Sequence, residues 1–298
     1  MVANSLEKKK GFSFKSYIQL TKPSIIYLLV LTAATAMFLV DGFQGDIKQI
    51  LTGIFGIGFI AASSAAINQI LDLQIDGKMK RTENRPLVQG SIPVLNAIIF
   101  AAILFIIGSF LLLTFNNFFS WALTVATWIF YAFLYTRILK FAGPQNIVIG
   151  GLAGAMPPVL GWVALTGSLA PLPLLLVLII FVWTPPHFWA LAIDRIDDYK
   201  EAGVPMMPVV KGIEYTKIQI LLYAFLLLAC SLLPFAIGSL GLLYFISASS
   251  LGLVFIILAA KLMADEENKG AIPFFLYSII YLTLLFVSMI MDRIIYPL

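Results

Sequence analysis

Nine runs of about twenty largely apolar residues, each ended by a polar or charged stretch, constrain this chain more than any other feature. They cover approximately residues 24–40, 50–71, 93–114, 118–136, 146–166, 171–191, 218–238, 241–260 and 273–291. A helix needs about 20 apolar residues to cross the hydrocarbon of a bilayer, and the Gly and Pro inside several runs are tolerated there. Composition agrees: 61% of the 298 residues are hydrophobic, 11% are charged and the mean hydropathy is +0.99. A soluble domain carries roughly 25% charged residues. The expectation is an all-α polytopic membrane protein with nine transmembrane helices in a single domain spanning 1–298.

The basic residues give the orientation. Lys8 to Lys10, Lys15 and Lys22 precede the first run; Lys78 to Arg85 follow the second, Arg137 and Lys140 the fourth, Arg195 to Lys217 the sixth, and Lys261 and Lys269 the eighth. The other side holds only Lys48 and Arg293. By the positive-inside rule the N-terminus is cytoplasmic and the C-terminus outside. Residues 1–20 then form a basic cytoplasmic tail with an amphipathic interfacial piece around Phe12 to Leu20. Residues 72–92 and 194–217 form two long cytoplasmic loops. The N-terminus shows neither a signal-peptide core nor an organelle transit pattern, which favours the bacterial cytoplasmic (inner) membrane. The net charge of +4 is spent on this asymmetry and does not point to nucleic acid. A single cysteine, Cys230, excludes an intramolecular disulfide and a CxxC metal site.

Both long loops begin with acids at helical spacing. Asn68, Asp72 and Asp76 are four residues apart and share a helix face if the second helix persists. Asp194 and Asp198 repeat the interval, with Asp197 beside them. Carboxylates so close repel unless neutralised. Either they are solvated helix ends paired with Lys78, Lys80, Arg81, Arg195 or Lys200, or they hold a hard divalent cation such as magnesium, which bridges carboxylates to substrate phosphates. Ionisable groups at a bilayer edge are scarce, which favours the second reading. Lys78, Arg81 and Arg85 suit the remaining phosphate oxygens, Arg in bidentate fashion.

Two apolar runs carry further signals. Asn146 to Trp162 holds Gly150, Gly151, Gly154 and Gly161, which serve close helix packing, while Pro157 and Pro158 break the helix and open room for a bulky flat ligand. His187, the sole histidine, precedes Asp194 by two helical turns and shares its face if the helix continues. It is either a packed residue or, as an imidazole in a membrane helix, a candidate haem contact.

The pattern N-x-x-x-D-x-x-x-D at Asn68, Asp72 and Asp76, with D-x-x-x-D at Asp194 and Asp198, resembles the UbiA-type intramembrane prenyltransferases, and nine crossings fit that family. NRPLVQG at Asn84 to Gly90, YTRILK at Tyr135 to Lys140, the GGLAGAMPP run, PPHFWALA at Pro185 to Ala192 and DYKEAGVPMMPVV at Asp198 to Val210 resemble its haem-farnesylating branch. The likeness covers approximately residues 20 to 295. It implies a helical ring around a central cavity, with farnesyl diphosphate and protohaem IX as substrates. It further implies Mg2+ on Asp72, Asp76, Asp194 and Asp198, with Asn68 in the catalytic set. Lys78, Arg81, Arg85, Arg137, Lys140 and Lys200 then form the diphosphate-binding set, with His187 against haem. Partners implied are the membrane lipid and, for the product, haem A synthase or terminal-oxidase assembly. Two alternatives stay open. The acidic motifs alone also permit prenylation of an aromatic quinone precursor. A haem or ion-coupled transporter would instead show midplane acids and paired inverted repeats.

Overall fold

The computed structural model describes residues 13–40 and 46–296; the first part of the basic tail and of the proposed interfacial piece lies outside them. Among the described residues the chain is helical and contains no strand. In order these are α1 (Phe14–Leu20), α2 (Pro23–Phe38), α3 (Ile47–Leu71), α4 (Leu73–Asp76), α5 (Val94–Phe115) and α6 (Phe118–Ile129). A π-helical segment, Phe130–Ile138, and a 3-10 turn, Leu139–Phe141, continue α6. Then come α7 (Asn146–Ala155), α8 (Pro157–Thr166), α9 (Pro171–Asp194), α10 (Ile196–Glu201), α11 (Met207–Lys211), α12 (Ile213–Ala236), α13 (Leu242–Ala264) and α14 (Ala271–Ile295).

Among the described residues, 8 helices are long and apolar enough to cross a membrane, and there are 9 if the pair α1–α2, bent by 56°, counts as one span. The protein is therefore an integral membrane protein by length and composition of its helices. Large hydrophobics such as Leu95, Ile106 and Phe110 on α5 are more than half exposed, as a surface facing lipid requires. The last helix packs on the first span, α14 against α2, and α9 runs between α7 and α12.

The bend between α1 and α2 sits at Lys22, a non-glycine residue in the left-handed region at φ 52. Neighbouring elements hold it there. The Gln69 side-chain amide on α3 donates to the Gln19 and Leu20 carbonyls at 3.0 and 3.1 Å, filling acceptors the end of α1 leaves open. Leu20 is fully buried with Ala66, Leu87 and Ala97. So α1 is docked onto α3 and α5.

Close approaches fix the helices around the interior. A Cβ at Gly161 would come within 2.3 Å of the Ala33 carbonyl oxygen, so only glycine lets α8 lie this near α2. The sequence break at the prolines is real: α7 ends at Ala155 and α8 begins at Pro157. By contrast Pro185 and Pro186 sit inside an unbroken α9. Both acidic loops meet at one end of the bundle, where Met79 of the first packs with Tyr199, Val204 and Met206 of the second.

Candidate active site

A cavity of about 330 Å3 opens between α2, α3, the π-helical segment, α7 and α9, beneath the two loops. Its walls divide by chemistry. Ile57, Ile60, Trp128, Pro157 and Leu160 line its apolar body, while Lys22, Asn68, Asp72, Asp76, Arg81, Arg85, Tyr131, Tyr135, Lys140 and Tyr199 line the end beneath the loops.

The first acidic motif is built from the helix outward. α3 stops at Leu71; Asp72 turns out at φ −88 and ψ 1, with its N–H still bonded to the Asn68 carbonyl at 2.9 Å, and α4 resumes to Asp76. The break is slight enough to leave all three side chains on the cavity, each only 4% exposed. Asn68 is the hub. Its amide donates to Asp72 Oδ2 at 2.9 Å and to Thr136 Oγ1 at 3.0 Å, and its carbonyl oxygen accepts from Lys22 Nζ at 2.6 Å. Lys140 Nζ lies 2.9 Å from the same Asp72 oxygen, and Arg85 pairs with Asp76 through Nη1 and Oδ2. The partners of the two carboxylates are thus Arg85 and Lys140, 9 and 68 residues along the chain, and not the adjacent Lys78, Lys80 and Arg81 that a solvated helix end would use.

The π-helical segment supplies another wall. Thr136 Oγ1 donates to the Tyr131 carbonyl at 2.8 Å, five residues back, and the rings of Tyr131 and Tyr135 stack at 5.8 Å. The wider π turn brings Tyr131 and Tyr135 onto the cavity wall and sets Thr136 behind them against Asn68, a common use of π geometry. The Tyr135 ring fills the place a side chain at Gly150 would take, its Cε2 lying 2.2 Å from that Cβ position. Gly154, one turn further, has nothing within 4 Å and leaves open space. The glycine run therefore serves both purposes, packing at Gly161 and cavity room at Gly154.

The second motif is placed differently. Asp194, with a side chain 33% exposed, pairs with its neighbour Arg195 at 2.9 Å, and Asp197 lies 3.6 Å from Lys200. Asp198 Oδ2 is buried without a hydrogen-bond partner. Neither Asp194 nor Asp198 is among the described residues lining the cavity. Among the described residues no group of three or more His, Cys, Asp or Glu side chains is arranged to hold a metal by itself. Tyr199, between the motifs, is buried against Met79, and burial pushes its phenol up from the ordinary value.

Of the six cations expected at the diphosphate, Arg81, Arg85 and Lys140 line the cavity; Lys78, Arg137 and Lys200 are exposed and are not among its described lining residues. His187 is also not among them. α9 does continue from it to Asp194, but the imidazole is 7% exposed, stacked between Trp183 and Phe275 at 4.3 and 4.4 Å, with Nδ1 2.6 Å from Ser278 Oγ. It stands behind Phe188 and Thr184, which do line the cavity. Sequence reasoning missed Lys22, Tyr131, Thr136 and Tyr199. The only signal for Lys22 was a cation at the head of the first run, which the orientation rule had already explained.

The model of the "UbiA prenyltransferase family" matches residues 29–289. A protein named protoheme IX farnesyltransferase from Saccharophagus degradans is 48% identical over 284 residues, covering 95% of this chain and 94% of that protein. Protoheme IX farnesyltransferase 1 of Pseudomonas putida (strain KT2440 among its designations) is 49% identical over 280 residues, 94% of each. Among solved structures, digeranylgeranylglyceryl phosphate synthase superposes with a TM-score of 0.78 at 24% identity, over 95% of this chain and 99% of that one. A UbiA homolog from Archaeoglobus fulgidus, bound to DMAPP and Mg2+, superposes at 0.68 with 16% identity, over 92% of this chain and 99% of that one. At these identities the two structures speak for the fold.

Proposed function

This chain belongs to the UbiA prenyltransferase family, and from that premise we propose that it transfers a farnesyl group from farnesyl diphosphate to a vinyl group of protohaem IX. Water completes the hydroxyethylfarnesyl side chain, giving haem O and diphosphate. The observation that carries the reading is near-full-length identity of 48–49% to proteins bearing that activity in their names. The cavity supports it with an acid-and-cation end above an apolar body.

The donor set fits a divalent cation. Asp72 and Asp76 are buried carboxylates on the cavity wall, and magnesium is commonly held by one or two carboxylates together with substrate phosphates. The buried, unpartnered Asp198 Oδ2 is a further oxygen suited to such an ion. When bound there, Mg2+ supplies Lewis-acid stabilisation of the departing diphosphate. Asp72 and Asp76 would hold it, with Asp194 and Asp198 completing the set from the second loop. Arg81, Arg85, Lys140 and Lys22 face the same end and offset the charge that grows on the leaving diphosphate. Ile57, Ile60, Trp128 and Leu160 hold the isoprenoid chain and keep water from the allylic cation. The stacked faces of Tyr131 and Tyr135 stand near the cation's origin and stabilise it through their ring quadrupoles.

His187 acts on haem indirectly in this arrangement, by backing Phe188, whose ring it meets edge-on at 5.1 Å. The distribution of basic residues supports placing the loops and the N-terminus on the cytoplasmic side and the C-terminus outside, in this reading in the bacterial inner membrane. The test is mass spectrometry of pigments after incubating purified protein with protohaem IX, farnesyl diphosphate and Mg2+. Haem bearing a hydroxyethylfarnesyl group, absent with Asp72→Ala, is expected. Unchanged haem from a folded protein that prenylates an aromatic acid would overturn the haem assignment.

A further inference from the structure

We infer that Lys140 and Arg85 are exchangeable counter-ions, held on Asp72 and Asp76 at rest and transferred to the diphosphate when the divalent cation takes the carboxylates. The inference rests on the reading of this end of the cavity as a metal–diphosphate site. Lys140 Nζ lies 2.9 Å from Asp72 Oδ2, and Arg85 is paired with Asp76, so both carboxylates are already neutralised by side chains that also face the cavity. These cations come from elements other than the carboxylates' own helices: Lys140 from the 3-10 turn after the π-helical segment, Arg85 from the first loop. Both end in long flexible stems that can move without disturbing α3 or α4.

The consequence is electrostatic. A divalent ion arriving alone must expel an ammonium or guanidinium into a partly buried space with no anion to receive it. A diphosphate arriving alone finds two of its cations occupied. Arriving together, each ligand relieves the other: the metal frees Lys140 and Arg85, and the diphosphate accepts them. Asn68 keeps Asp72 in place through the exchange, because it donates to that carboxylate and is itself held by Lys22 and Thr136. Metal and diphosphate therefore bind with positive and reciprocal coupling.

Binding titrations on the full chain in nanodiscs test this with Mn2+ and with inorganic pyrophosphate, each in the absence of the other. Lys140→Gln should bind Mn2+ about five- to tenfold more tightly than the unaltered protein, and Asp72→Asn should bind metal-free pyrophosphate more tightly by a similar factor. A purely structural role for the pair predicts the opposite, since a misfolded or loosened site weakens both ligands. Lys140→Arg should restore the resting Mn2+ affinity. If Lys140→Gln or Asp72→Asn does not fold, Arg85→Gln and Asp76→Asn read the same exchange at the other pair. Equal or weaker Mn2+ binding by the lysine or arginine variant, or equal or weaker pyrophosphate binding by the aspartate variant, overturns the inference. Neither titration contains haem or an isoprenoid, so failure of haem farnesylation would leave this result intact, and the reverse also holds.

Discussion

The two acidic motifs have the same spacing and opposite surroundings. Asp72 and Asp76 are 4% exposed, line the cavity, and take their counter-charges from Lys140 and Arg85. Asp194 is exposed and paired with the residue next to it, and only one oxygen of Asp198 is buried without a partner. The cause lies in how each helix ends. α3 gives way to α4 with a single turned residue, so the acidic face keeps its direction into the bundle. α9 stops at Asp194, Arg195 leaves helical geometry at φ −106 and ψ 27, and α10 restarts at Ile196 with the Asp194 carboxylate turned to its exposed neighbour. The first motif is buried and faces the cavity, half of the site proposed here. The second lies in a loop docked over it through Tyr199, Val204 and Met206.

The largest effect should fall on this buried half. Asp72→Ala and Asp76→Ala each remove a carboxylate proposed to hold the cation that stabilises the leaving diphosphate, and about a hundred- to thousandfold loss of kcat is expected from such a deletion. Asp194→Ala should lose less, because Asp194 is exposed, paired with Arg195 and not among the described lining residues. Steady-state farnesyl transfer to protohaem measures all three. Equal losses across both motifs would break the comparison, and would mean that the second loop closes fully onto the first when substrate is bound.

The glycine run offers the same contrast at a smaller scale. Gly161→Ala places a methyl against the Ala33 backbone, which cannot yield cheaply, and should destabilise the protein by about 1–3 kcal/mol. Gly154→Ala meets nothing within 4 Å, so its melting temperature should stay near that of the parent while KM for farnesyl diphosphate or protohaem rises. Thermal unfolding in detergent beside steady-state kinetics separates the two. A large melting shift at Gly154 would remove it from the cavity wall.

These glycines mark how far the sequence could be read. The spans were legible because lipid imposes a length and an apolar character that no tertiary contact overrides. The acidic face of α3 was legible because helical spacing is local. The choice of counter-ion was not: Arg85 and Lys140 reach Asp76 and Asp72 only because the first loop and the π-helical segment return to the end of α3. The π geometry left no trace in hydropathy, so the meeting of Tyr131, Tyr135 and Thr136 was hidden with it. His187 shows the limit of helical-face arguments. Its spacing to Asp194 is right and the helix is continuous, yet Ser278 and Phe275 on α14 claim the imidazole.

The smallest effects should come from acids whose partners cannot leave. Asp292 accepts from the Tyr244 N–H at 3.1 Å and from Gly241 at the start of α13. Asp292→Ala loses this cap and should cost about 1–2 kcal/mol with activity per folded molecule unchanged. Asp265, between α13 and α14, accepts from the Gly270 and Glu267 amides at 2.7 and 3.1 Å. The Gly270 amide foremost, with the Glu267 amide and Lys217 assisting, holds its carboxyl below the ordinary value of 3.8. A depressed acid stabilises the fold above its ordinary value, and that contribution is lost as pH falls through the lowered one. The melting temperature should therefore fall more steeply in the parent than in Asp265→Asn as pH drops below the ordinary value of 3.8. Backbone amides are fixed by the chain that carries them, whereas lysine and arginine side chains are the ones the proposed exchange transfers to a diphosphate. Parallel pH profiles for parent and variant would show that the amides contribute nothing, and would blur the distinction between acids that hold the fold and acids that hold a ligand.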